Sequence, residues 1–356
     1  MNTTLKDFLT QIERQYKSNK PFVVFSTPKN NVLQAYLQKE DVSQWKPFSK
    51  KGFVFAPFSE TQTTYAIHEA ESEVLETAVP KKKIKTRVTV FPETKEEYDR
   101  HTAMVSLALA NIKEGEAEKI VVSRKKLLQL KDFDIKKVMM RLFSLYPAAF
   151  CYVWFHPETG LWCGATPETL LTVNDQGFTT MALAGTMVAK TGKVLQWTQK
   201  ERDEQQIVTD TIVKALAPHT ETLETSNTYN HRAGNLTHLR TDITGRLKKK
   251  ASSLQHVAAA LHPTPAVCGL PTESAKSFIN AVEKYDRKFY TGYLGLVCPS
   301  QNEAQLFVNL RCMQLTEANA TLFVGGGITE ASQPEAEWEE TRNKLQTMLQ
   351  VLTPML

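Results

Sequence analysis

Near the C-terminus the chain carries Glu337, Glu340 and Lys344, spaced i, i+3 and i+7. On a helix turning ~100° per residue they fall along one edge of an apolar stripe made by Trp338, Thr341, Leu345, Met348, Leu349 and Leu352. Two carboxylates and an ammonium so placed could hold a metal ion and an anion; they also fit an ordinary solvated helix edge. Just upstream, Val324-Gly325-Gly326-Gly327-Ile328-Thr329 closes an apolar strand. Glycines let a backbone turn sharply and offer its N–H groups to an anion, because no Cβ blocks the approach. Lys119 opens the β-branched run Ile120-Val121-Val122, where a lysine often snorkels to water. Glu168 follows Thr166-Pro167 among apolar neighbours, where desolvation could raise its pKa and make it a general acid. A first-turn glutamate favoured by the helix dipole fits the same residues. Glu204 sits in a long polar helix, and Leu183-Ala184-Gly185-Thr186 ends an apolar strand in small residues that leave room for a ligand or for close packing. His262 opens the proline-constrained loop His262-Pro263-Thr264-Pro265, a candidate site on that ground.

The elements that must position these residues read as follows. A helix over Leu5 to Tyr16 and strands at Phe22 to Phe25 and Gly52 to Ala56 precede a polar segment, Glu73 to Arg87, that reads as a loop. Thr94-Lys95-Glu96-Glu97 has capping-box spacing and starts a helix to about Ile112, closed by Gly115. The strand from Lys119, a helix over Asp134 to Leu145, and strands at Ala149 to His156 and Leu161 to Ala165 follow. A turn at Asp175-Gln176-Gly177 leads into the strand Phe178 to Leu183. Helices at Gln199 to Leu216, Ser252 to Leu261 and Thr272 to Lys284 surround a strand near His238. The strands Phe289 to Val297, Gln305 to Met313 and Ala320 to Val324 come last before the C-terminal helix. Strands thus arrive mostly in neighbouring pairs with helices between the groups, which predicts α+β with antiparallel sheets and not a doubly wound parallel fold.

Composition sets outer limits. The 356 residues are 42% hydrophobic and 23% charged, ordinary for a globular protein with a sizeable core. The first residues lack an apolar signal segment, and no run approaches the ~18 apolar residues of a membrane span. Five cysteines without a CxxC pair favour free buried thiols in a reducing cytoplasm. Net charge is only +5, and the lysine runs 81–83 and 248–250 lack interleaved aromatics, so neither nucleic acid nor membrane is expected as a partner. No GxGxxG, P-loop, HExxH or GxSxG motif occurs, which removes the common nucleotide, zinc-protease and serine-hydrolase readings.

Taken in order, Glu118 to Arg124, Gly164-Ala165-Thr166-Pro167-Glu168, Leu183-Ala184-Gly185-Thr186, Lys200 to Glu204 and His262-Pro263-Thr264-Pro265 resemble the chorismate-utilising enzymes. So do Phe289-Tyr290-Thr291-Gly292, Leu310-Arg311-Cys312, Gly325-Gly326-Gly327-Ile328 and Glu337 to Lys344. The resemblance covers about residues 92–356. It implies two facing antiparallel β-sheets wrapped by helices, as in anthranilate synthase component I, with a cleft between them. Residues 91–356 would be the catalytic region and 1–90 an N-terminal α/β segment completing the core, together as one structural domain. It also implies Mg²⁺ held by Glu204 and Glu340, with Glu337 through water. Arg311, Tyr290 and the Gly325 to Gly327 backbone would grip the enolpyruvyl carboxylate, Lys344 the ring carboxylate, and His262 would line the ring site.

Three positions set the subfamily. Lys119 matches the lysine that activates water in isochorismate- and salicylate-forming members and is generally missing from anthranilate synthases. Ala184 stands where aminodeoxychorismate synthases carry a nucleophilic lysine, and Glu168 matches the general acid. The resemblance therefore implies isochorismate synthase, feeding menaquinone or a catechol siderophore, with chorismate as substrate. Such a chain needs no amidotransferase and would be a monomer or weak homodimer. Salicylate synthase, which adds pyruvate elimination at the same site, is the alternative. A chorismate-binding protein without catalysis is disfavoured, since mere binding needs no acid and base.

Overall fold

Phe22–Ser26 and Phe150–His156 are buried along their whole length, which is what a strand covered on both faces demands of its residues. The computed structural model describes residues 3–39, 46–79, 84–86, 88, 91–188, 197–233, 236–248 and 254–356. The lysines at 81–83, 249 and 250, and the first residues of the helix expected from Ser252, lie outside them.

The chain begins with α1 (Leu5–Lys17), β1 (Phe22–Ser26), β2 (Val32–Gln38), β3 (Gly52–Ala56), β4 (Tyr65–His68) and β5 (Ser72–Ala78). Next come α2 (Lys95–Lys113), β6 (Lys119–Gln129), α3 (Ile135–Leu145), β7 (Phe150–His156), β8 (Gly160–Thr166), β9 (Thr169–Asn174) and β10 (Gly177–Val188). Then follow α4 (Gln199–Leu216), β11 (Thr220–Thr225), β12 (Tyr229–Ala233), β13 (Leu236–Leu247), α5 (Leu254–Leu261), β14 (Gly269–Leu270) and α6 (Thr272–Val282). The last elements are β15 (Tyr293–Cys298), β16 (Glu303–Val308), β17 (Cys312–Leu315), β18 (Asn319–Ile328) and α7 (Pro334–Leu352).

The strands form two nine-stranded antiparallel sheets. One runs β14-β6-β18-β17-β8-β7-β1-β2-β5; the other runs β11-β13-β10-β9-β16-β15-β3-β4, with β12 added on β13. Aromatic side chains from both sheets meet in one buried cluster, where Phe150 stacks on Phe307 and Phe55 on Phe289, each at 4.2 Å between centroids. Helices α1, α3 and α7 bury their apolar stripes against the first sheet, and α4 and α5 against the second. This is the antiparallel α+β class expected from the order of elements, with the two sheets that the family resemblance implies. Residues before 90 supply β1, β2 and β5 to the first sheet and β3 and β4 to the second, so the N-terminal segment shares both sheets with the rest.

Four local readings are corrected. The polar segment from Glu73 is not a loop at its start, because Ser72–Ala78 is a strand paired with β2. It sits at a sheet edge, where polar side chains face water and hide the strand pattern. The run Gln305 to Met313 is two strands belonging to different sheets, broken at 309–311. Phe289 to Gly292 is a turn ahead of β15. The three glycines do not turn the chain; they continue β18, opposite Ser123, Val122 and Val121 of β6.

Candidate active site

β6 is held by β18 along almost its whole length and by β14 at its first two residues. Lys119 is the first residue of this strand, and its side chain is only 13% exposed, so it does not snorkel into water. Its ammonium lies 3.6 Å from Glu204 Oε1, carried by α4 on the second sheet. A Cβ added to Gly327 would stand 2.9 Å from Lys119 Cε. The glycine is therefore the space that the lysine stem occupies.

Glu168 lies in the link between β8 and β9, where the chain passes from one sheet to the other. The next residues are strand, so the first-turn reading falls away. Arg311 lies in a second such link, between β16 and β17, and the two are laced together. Val308 N donates to Glu168 O at 3.0 Å, Ala165 N to Arg311 O at 3.1 Å, and Thr166 Oγ1 to Val308 O at 2.6 Å. Burial raises the Glu168 pKa above the ordinary carboxyl value, opposed by the charges of Lys119, Arg311 and Lys344. Those three cations therefore lie near enough to Glu168 to act on its charge. Arg311 has φ +47 and Thr291 has φ +62, a left-handed backbone rarely adopted by non-glycine residues. Such strain persists where the surroundings over-determine it. Here Asn309 does so: its N–H donates to Gly292 O, its C=O accepts from Thr291 N, and its side chain bridges Tyr152 and Phe289.

The glycine strand faces this cleft on one side and α7 on the other. A Cβ on Gly325 would meet the Tyr290 hydroxyl at 3.0 Å, and one on Gly326 would meet Glu337 Oε2 at 2.9 Å. Lys344 Nζ donates to Gly325 O at 2.8 Å and stands 2.5 Å from Glu340 Oε1. By the two-residue alternation of a strand, Gly325 and Gly327 turn their peptide groups to that same side, away from β6. Burial is the main influence on the Lys344 pKa, which it lowers against the pull of Glu340.

Among the described residues no three acidic, histidine or cysteine side chains gather into a ready metal cluster. Glu204 pairs with Lys119 and Glu340 with Lys344, while Glu337 accepts from Ser332 through Oε1 only. Glu337 Oε2 is buried with no partner among the described residues, and burial raises the pKa of this carboxyl. The orphaned Glu337 oxygen, Glu340 and Glu204 are all oxygen donors, the type a hard divalent cation takes, but here Glu204 and Glu340 are held by lysines and do not gather around one point.

The other expected residues are placed as follows. Ala184 is buried, Leu183 is half-buried against a cavity of about 20 Å³ that Glu168 also lines, and the Thr186 side chain lies outside the described residues. Gly185 has φ +63 and its carbonyl is bonded by His238 at 3.0 Å. His262 is buried, its Nε2 is 3.0 Å from Phe58 O, and its ring packs on Phe58 and Tyr293. Burial lowers its pKa to about 4, so it is neutral in the folded chain.

Sequence reasoning missed several supports. Arg124 stacks 3.8 Å over the Trp338 ring, bonds Thr341 Oγ1 at 2.8 Å and pairs with Glu93, fixing α7 against β6. His238 and Asn309 were missed as well. The only local signal for them was their nearness to other motifs, because each acts across elements remote in sequence.

Comparison with known proteins identifies the family and the fold. Residues 35–353 match the family model described as chorismate binding enzyme. A putative isochorismate synthase of Aeromonas hydrophila is 35% identical over 263 residues, 70% of this chain and 65% of that relative, so the match spans just under two thirds of its length. Among solved structures, the putative 2,3-dihydroxybenzoate-specific isochorismate synthase of Bacillus anthracis superposes with TM-score 0.76 at 23% identity, over 96% of this chain and 99% of its own. The menaquinone-specific isochorismate synthase of Escherichia coli gives TM-score 0.75 at 21% identity, over 93% and 88%. At such identities the structures speak for the fold, and the family match speaks for descent: the chain belongs to the chorismate-binding enzyme family.

Proposed function

We propose that the protein is an isochorismate synthase, an isomerase that converts chorismate reversibly to isochorismate. The observation that carries this reading is that Lys119 and Glu168 stand on separate supports, strand β6 and an inter-sheet link, yet the Lys119 charge acts on the Glu168 carboxyl. Lys119 accepts a proton from water as the water oxygen bonds to C2 of chorismate. The ring double bonds shift, and Glu168 donates its proton to the C4 hydroxyl, which leaves as water. One water enters and one leaves, so the reaction is an isomerisation and runs in both directions. Burial favours the protonated form of Glu168, as the forward direction requires.

Arg311, the Tyr290 hydroxyl and the peptide groups of Gly325 and Gly327 bind the enolpyruvyl carboxylate. Lys344 faces the ring carboxylate, and His262 and Leu183 to Thr186 bound the ring. Glu204 and Glu340, with Glu337 through water, would hold Mg²⁺, whose charge neutralises the ring carboxylate. Ala184 offers no nucleophile for a covalent route, and with water as attacking group no amidotransferase is needed. The product suits either a menaquinone or a catechol-siderophore route, since relatives of both descriptions share the fold.

The test is to incubate the purified protein with chorismate and Mg²⁺, with and without ammonium, and identify the products. Isochorismate alone supports the proposal. Salicylate with pyruvate would make it a salicylate synthase, and anthranilate would sink the water-activating role of Lys119.

A further inference from the structure

Between α6 and β15 the chain passes through an irregular segment, 283–292, in which Lys284, Lys288 and Thr291 all have positive φ. Nothing periodic holds it. Beneath it lie Glu283 and Arg287, whose side chains are each 2% exposed. Every N–H of the Arg287 guanidinium is used. Nε donates to Glu283 Oε2 at 2.8 Å, and Nη2 to Glu283 Oε1 at 2.5 Å and Val121 O at 2.7 Å. Nη1 donates to Val267 O at 3.0 Å and Thr291 Oγ1 at 3.3 Å. Phe58 covers the guanidinium, its ring centroid 4.6 Å away. Glu283 Oε1 also accepts from Ser123 N at 2.7 Å and Ser123 Oγ at 2.8 Å.

The reason for such a pair lies in the sheet. β14 covers only the first two residues of β6, so Val121 O and Ser123 N face a missing neighbour strand. Buried backbone groups left unpaired are costly. Glu283 and Arg287 satisfy them with side chains, and by doing so they weld the irregular segment to the strand. A buried ion pair is weak grounds for stability in itself, since well-packed apolar residues often do as well. What apolar residues could not do is join Val121, Val267 and Thr291 through one planar fork. Those three points lie two residues from Lys119, in the loop after His262, and next to Tyr290.

We propose that Glu283 and Arg287 are a positioning pair, which sets the turn bearing Tyr290 against β6 and so against the glycine strand that faces the Tyr290 hydroxyl. The proposal rests on the reading of Tyr290 as a carboxylate ligand. Thr291 Oγ1 donates to Tyr290 O, which leaves its lone pairs for Arg287, so the fork orients the peptide that follows Tyr290. Lys119 and Glu168 each have a further hold, the β6–β18 ladder and the laced inter-sheet links. Loss of the fork should therefore loosen substrate binding more than chemistry.

The test is Arg287→Lys, which keeps a charge beside Glu283 but has no fork, with Thr291→Val as a milder variant. Steady-state constants for chorismate are measured well below the melting temperature, together with amide hydrogen exchange. The expected result for Arg287→Lys is a KM raised about tenfold, the worth of one to two hydrogen bonds, with kcat changed less than about threefold. Exchange at Thr291 and Gly292 should quicken while the β6–β18 amides stay protected. Thr291→Val should shift both readouts in the same direction by less, and it decides the matter if the lysine variant does not fold. A lowered melting temperature with KM and local exchange unchanged would reduce the pair to a stabilising element and overturn the proposal. Exchange needs no substrate: if the wild-type protein proves not to use chorismate, the functional reading fails, and exchange still decides the coupling.

Discussion

Gly327→Ala is a sharp perturbation because the structure isolates its effect to one side chain. The glycine does not have a positive φ, and among the described residues a Cβ built there meets nothing within 4 Å except Lys119, with Cε at 2.9 Å and Nζ at 3.7 Å. To restore an ordinary contact of 3.4 Å the lysine stem must retreat by about 0.5 Å. Misplacing a catalytic group by about 1 Å can cost on the order of 100-fold in rate. Half that displacement suggests a kcat lowered about tenfold, or ~1.4 kcal/mol of barrier. Stability should not fall, because alanine for glycine in a tolerated conformation lowers unfolded-state entropy and adds roughly 0.4–1 kcal/mol. The assay pairs initial rates on chorismate at saturating Mg²⁺ with a thermal melt. A kcat within twofold of wild type at unchanged Tm would refute the placement of Lys119 at the reacting water. A drop in Tm of several degrees would show that the strand had been disturbed instead.

Glu168→Gln should lower kcat by about 10²–10⁴. Because burial raises this carboxyl's pKa, the wild-type forward rate is expected to fall as pH rises through the folded value, and stability to fall over the same window above 4.5, the ordinary value. The glutamine variant should therefore melt higher than wild type at pH 8 and no higher below pH 4.5; equal Tm values at pH 8 would contradict the buried-acid reading. Tyr290→Phe removes the hydroxyl beside Gly325 and is expected to raise KM about tenfold or more, the loss of one hydrogen bond to a charged group; an unchanged KM would take Tyr290 out of the cradle. Chelation of Mg²⁺ should stop turnover, and Mg²⁺ at about 100 times its Kd should add ~2.7 kcal/mol of stability. Glu340→Gln should abolish that thermal shift, and its persistence would move the metal elsewhere.

Features encoded locally were legible in the sequence. Thr94 and Glu97 make the reciprocal capping box their spacing suggests, and the stripe from Trp338 to Leu352 is the buried face of α7. What stayed hidden is decided by tertiary structure. Gln305 to Met313 looks like one strand because nothing in it announces that Arg311 must take a left-handed conformation to pass between sheets. The glycine triplet looks like a turn, whereas Val122 O and the Tyr290 hydroxyl crowd Gly325, Glu337 of α7 crowds Gly326 and the Lys119 stem crowds Gly327. Pro167 suggested a helix start after it, but the following residues pair with β16 and β10. Glu283 and Arg287 show locally only an i, i+4 charge pair, and their other partners lie on β6, in the loop after His262 and at Thr291.

The central claim is that water activated by Lys119 attacks C2 while Glu168 releases the C4 hydroxyl. Its most direct test is a brief incubation with chorismate and Mg²⁺ in oxygen-18 water, with the product read by mass spectrometry and carbon NMR. The account predicts isochorismate carrying one heavy oxygen, at C2, from the earliest time points. Isochorismate formed without the label, or label found first at another position, would contradict it.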